Sequence, residues 1–144
     1  MKVYELASIL GYGVRINGTI NVRTNTFALG GSYVQDGTGG LGIFLPGGLP
    51  SFGAGRNVRV EGSVADFNGG YQLSAPGFAF KDTSHGTSPL PPAAVTLPLT
   101  ESPANLSEGE LVTIHGLSTT STGVFAAGTS YVFRTDAPDT ISVR

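Results

Sequence analysis

The chain has 144 residues, with 22 glycines, 9 prolines, no cysteine and a formal net charge of −2. That length holds one ordinary domain with a real core and is short for two complete ones, so one full fold plus an appendage is expected. The lack of cysteine excludes disulfides and thiolate metal sites, 40% hydrophobic residues at this low net charge exclude a disordered chain, and abundant glycine with only 12% charged residues points to a turn-rich all-β protein.

The opening residues, Met1-Lys-Val-Tyr-Glu, lack the long apolar run of a secretory leader, and no stretch approaches the length of a membrane span. Sparse charge, Ser/Thr/Gly/Asn-rich strands and two formal sequons at Asn17 and Asn105 point to an extracellular or cell-surface protein whose leader is absent from this chain.

Strict alternation begins at Val14 and runs to Arg23. Val14, Ile16, Ile20 and Val22 face one side and Arg15, Asn17, Thr19, Asn21 and Arg23 the other, which is a half-buried strand. Ser32-Tyr-Val-Gln-Asp36 and Leu41-Gly-Ile-Phe-Leu45 flank Gly37-Thr-Gly-Gly40, whose glycines suit the positive φ of a tight hairpin. A Gly/Pro-rich stretch over residues 46–55 leads into a long alternating strand from Val58 to Phe67. The turn Asn68-Gly-Gly70 then returns the chain through Tyr71-Gln-Leu-Ser74, so five strands are in place by about residue 75.

The expected organisation is a complete barrel over residues 1–80, a Pro/Thr-rich linker over 81–107 and a partial second repeat over 108–144. In that repeat, Val112-Thr-Ile-His-Gly116 restates Val14-Arg-Ile-Asn-Gly18, and Tyr131-Val-Phe-Arg-Thr-Asp136 restates Tyr33-Val-Gln-Asp36 with two extra residues. Asp136 stands as far from Ile141 as Asp36 does from Leu41, so the turn spacing is kept.

Taken together, Val14-x-Ile-x-Gly18, Gly31-Ser-Tyr-Val-Gln-Asp-Gly-Thr-Gly-Gly40, Gly55-Arg-Asn-Val-Arg-Val-Glu-Gly-Ser-Val64 and Asn68-Gly-Gly-Tyr-Gln-Leu73 resemble the OB-like modules of secreted bacterial nucleases and other exported, DNA-associated proteins. The chain departs from that pattern at Arg56-Asn57, where the family often carries an acidic residue. The resemblance implies a five-stranded OB-type Greek-key barrel whose second and third strands present a ligand face, typically for single-stranded nucleic acid.

Catalytic chemistry is poorly supplied. There is no thiol, and the two histidines fall in different settings, His85 in the linker and His115 on a strand face, so a non-catalytic protein is expected. Gly37-Thr-Gly-Gly-Leu-Gly42 formally fits a dinucleotide fingerprint, but β-type residues follow where that motif needs a helix. Asp36, Asp66, Asp82, Asp136 and Asp139 sit at strand ends and turns without calcium-loop spacing, so neither metal nor cofactor is expected.

The expected nucleic-acid surface combines Tyr33 and Gln35 on one strand face, Phe44 opposite, and Arg15, Arg23, Arg56 and Arg59 on neighbouring strands. A second expectation is self-association: three strands of an OB unit leave open edges, which residues 1–10 of another copy would cover by pairing with residues 108–144, giving a filament or ring.

Overall fold

A computed structural model of the chain describes residues 9–67, 70–87, 90, 92–95, 109–126, 129–135 and 139–143. Residues 1–8 of the expected strand donor over 1–10, the Asn68-Gly69 part of the second turn, the linker residues 88–89, 91 and 96–107, and Glu108 and Asp136 of the expected partial repeat lie outside the described residues. Among the described residues all regular structure is β, and no helix is long and apolar enough to cross a membrane. The chain divides into two units. The first holds the described residues up to Pro92 together with residues 109–111, and the second holds residues 93–95 and those from Val112 on.

The first unit is a closed five-stranded barrel of β1 (Gly13–Ile20), β2 (Gly31–Asp36), β3 (Gly39–Phe44), β4 (Arg56–Phe67) and β5 (Gly70–Thr87), in the order β1-β2-β3-β5-β4 with β4 returning to β1. All neighbours are antiparallel except β3 and β5, which run parallel through Gly42↔Gln72 and Ile43↔Leu73. This is the OB-type strand order.

Alternation sets the inside. Val14, Ile16 and Ile20 of β1 meet Val58, Val60 and Val64 of β4, with Val34, Leu41, Ile43 and Leu73 completing the fill and Leu49 entering from the connection after β3. Each such side chain stabilises the fold by roughly 1.5–3 kcal/mol on burial.

Two expectations are refined in this unit. The hairpin loop reduces to Gly37-Thr38 between the paired Asp36 and Gly39, and of its glycines Gly39 takes the positive φ, at 155°, while Gly37 does not. The Asp36 carboxylate also closes the turn, accepting from the Thr38 amide at 2.7 Å and its hydroxyl at 2.6 Å. The fifth strand also continues well past residue 75, into the stretch read as linker, so the backbone of His85 lies on a strand.

The register jumps at the interruption, from Ser63↔Ser74 to Glu61↔Ala79, around Pro76, which has no N–H to offer the ladder. Beyond it Phe78 and Phe80 pack on the core and Phe80 stacks on Phe52 with centroids 5.1 Å apart.

The second unit contains β6 (Ala93–Val95) parallel to β7 (Val112–Ile114), and the hairpin β8 (Tyr131–Arg134) with β9 (Thr140–Val143). The internal repeat has a structural echo. Aligning Val112 with Val14 puts Ser118 at the place of Ile20, aligning Asp136 with Asp36 puts Arg134 at the place of Val34, and Ser118 bridges Arg134 just as Ile20 pairs with Val34. Val14–Ile16 pair with β4, whereas their counterparts Val112–Ile114 pair with β6. No described side chain of this unit is buried, and Phe125 packs only partly, on Tyr131 at 4.6 Å and Phe133 at 5.8 Å.

Candidate ligand-binding face

Outward positions of β2 and β3 form ordered pairs: Gly31↔Phe44, Tyr33↔Gly42 and Gln35↔Gly40. Each larger side chain therefore faces a glycine across the strands, which leaves a trough floored by backbone. Tyr33 is 37% exposed and Phe44 half-buried, so both belong to the outer face and neither fills the barrel.

The loop between β1 and β2 supplies the trough's end wall. Asn25 adopts φ 63° and its side chain ties three backbone groups, accepting from the Gly30 and Leu49 amides and donating to the Leu49 carbonyl. Buried Thr24 does the same with the Pro50 carbonyl and the Phe52 amide. So held, the loop presents Phe27, 71% exposed, edge-on to Tyr33 with ring centroids 6.1 Å apart at 77°. Neither Phe27 nor Asn21 was expected at this site; the sequence signals were the outward phase of Asn21 on the first predicted strand and an Asn-Thr-Phe loop tip after it.

Over the other end of the trough lies a segment of the same chain. The Asn21 side-chain amide donates to the Gly109 carbonyl at 2.7 Å, and Gln35 Oε1 accepts from the Leu111 amide at 2.9 Å and from Asn21 at 3.3 Å. Gln35, expected as an open ligand contact, is only 9% exposed because this segment covers it. Gly109, at φ 71°, stacks its backbone on that of Gly40 so closely that a Cβ there would sit 2.8 Å from Gly40 C and Leu41 N. Burial, with the charge of Asp36 nearby, pushes the Glu110 carboxyl above its ordinary value of 4.5. Between this segment and the aromatic pair remains a cavity of about 330 Å3, lined by Asn21, Val22, Phe27, Tyr33 and residues 109–111.

The expected cations are placed elsewhere. Arg15 binds Glu61 at 2.7 Å, Arg59 approaches the same carboxylate at 3.6 Å, and Arg56 pairs with Asp82. These pairs lie on the β1–β4–β5 wall, and β4 pairs with neither β2 nor β3. Arg23, exposed in the loop beside Asn21, has no acidic partner among the described residues. A larger cleft of about 510 Å3 opens among Asn17, Thr19, Asp36, Asn57 and Thr83, and among the described residues no aromatic ring lines it. No group of three or more potential metal ligands occurs among the described residues. Comparison with protein-family models and with curated proteins yields no match to this chain.

Proposed function

We propose that the protein is a non-catalytic OB-type binding module of an exported protein, and that its β2–β3 face takes single-stranded nucleic acid. The observation that carries this reading is the exposed Phe27–Tyr33 pair at the end of a glycine-floored trough. Flat bases stack on such rings whatever their sequence, at about 1–3 kcal/mol per base. The charge pattern refines the expectation. Because Arg15, Arg56 and Arg59 already have carboxylate partners, few phosphates are neutralised and few counterions released.

Titration of a fluorescent oligothymidine by anisotropy at two salt concentrations is the test. Tyr33→Ala is expected to weaken binding roughly tenfold, Arg59→Ala is expected to change it little, and the salt dependence is expected to be shallow. A steep salt slope with Tyr33→Ala indistinguishable from wild type would remove the aromatic face from consideration.

The second unit favours another reading, self-association by strand addition. Among the described residues its sheets are two-stranded, and Val132 at 53% and Val143 at 46% exposure leave apolar surface on the β8–β9 hairpin. Light scattering across a concentration series is expected to show association that Val132→Lys abolishes. A chain that stays monomeric at every concentration rejects this reading.

A further inference from the structure

Residues 109–111 are held on the barrel in an instructive way. Two side-chain amides, Asn21 and Gln35, flank one residue of a peptide, one donating to the carbonyl before Glu110 and the other accepting from the amide after it. A donor and an acceptor fixed side by side are also what Asn and Gln use to read a base edge, which offers the same alternation in one plane. The floor beneath is Gly40, where a Cβ would overlap the Gly109 carbonyl, so the trough admits a flat group only by backbone contact.

We propose that residues 109–111 form an intramolecular strap which occupies the base-reading part of the β2–β3 face, and that nucleic acid gains Asn21 and Gln35 only when the strap leaves. This rests on the reading of that face as a nucleic-acid site. The strap also brings Glu110 beside Asp36, two carboxyl groups at the rim of a surface that must accept phosphates. Its departure therefore removes a competitor for the amides and one acidic group together. Apparent affinity falls in proportion to the fraction of molecules with the face open, so releasing the strap raises it without any new contact.

Two variants release the strap without altering the face. Gly109→Val sets a β-branched side chain at positive φ against Gly40, and Leu111→Pro deletes the N–H that Gln35 accepts. Docking is read separately from ligand binding, by NMR: the exchange rate of the Leu111 amide in wild type and Gly109→Val, and the Asn21 side-chain amide resonances in all three proteins. The expected result is a slowly exchanging Leu111 amide in wild type, release in both variants, and oligothymidine binding about tenfold tighter in the variants. Release with unchanged affinity overturns the strap while leaving the ligand face in place. An unprotected Leu111 amide in wild type overturns it directly. Release with no oligothymidine binding by any of the three proteins rejects the nucleic-acid reading and the strap with it.

Discussion

Leu73→Ala is expected to cost about 3–5 kcal/mol, a large share of the 5–15 kcal/mol typical of a whole domain. Leu73 is fully buried, and it stands where the barrel closes. On one side it pairs with Ile43 across the parallel β3–β5 seam, which consists of two residue pairs, and on the other with Val64 of β4. Removing its side chain leaves a void walled by strands whose spacing is fixed by hydrogen bonds, so the site has little freedom to collapse and the cavity cost adds to the lost transfer energy. Val132→Ala, on the exposed face of β8, is the matched control and is expected to fall within about 0.5 kcal/mol of wild type. Urea unfolding followed by far-UV circular dichroism separates the two. A Leu73→Ala midpoint close to that of wild type would mean that the seam does not hold the barrel shut.

The barrel was legible in the sequence wherever one strand face is buried along its whole length. Val14, Ile16 and Ile20, or Val58, Val60 and Val64, can satisfy burial in only one phase of a two-residue period, so the pattern fixes both strand and sidedness. The continuation of the fifth strand past residue 75 escaped because Pro76 interrupts the period and restarts it out of register, so residues 81–87 read as the start of a linker. The candidate site was legible only in part. Tyr33, Gln35 and Phe44 do share the β2–β3 face, since residues two apart on a strand and their cross-strand partners must. What Gln35 does there depends on an amide 76 residues away, and which cations are available depends on the β1–β4 register that brings Arg15 and Arg59 to one carboxylate. Local pattern carries no information about either.

Gly30→Ala tests the other structural premise of the site, that the loop from β1 to β2 is a rigid mount for the aromatic pair. Gly30 has φ 90°, where an L side chain is strained, and a Cβ there would overlap the Leu45 carbonyl. The strain of positive φ and the backbone shift needed to relieve the overlap sum to about 2–4 kcal/mol. The damage is also positional. The Gly30 amide donates to Asn25 and its carbonyl accepts from Leu45, so moving Gly30 disturbs both the Asn25 hub and the entry of β2, the two anchors between which Phe27 is held. Oligothymidine affinity is therefore expected to fall by as much as in Tyr33→Ala, roughly tenfold, at a temperature where circular dichroism shows the barrel folded. Phe27→Ala in the same assay separates mount from ring: an equal loss in both variants makes the loop's contribution that of presenting Phe27. If Gly30→Ala is destabilised as expected but binds like wild type, the ligand does not use the Phe27 end of the trough, and the stacking surface contracts to Tyr33 and its glycine partner Gly42.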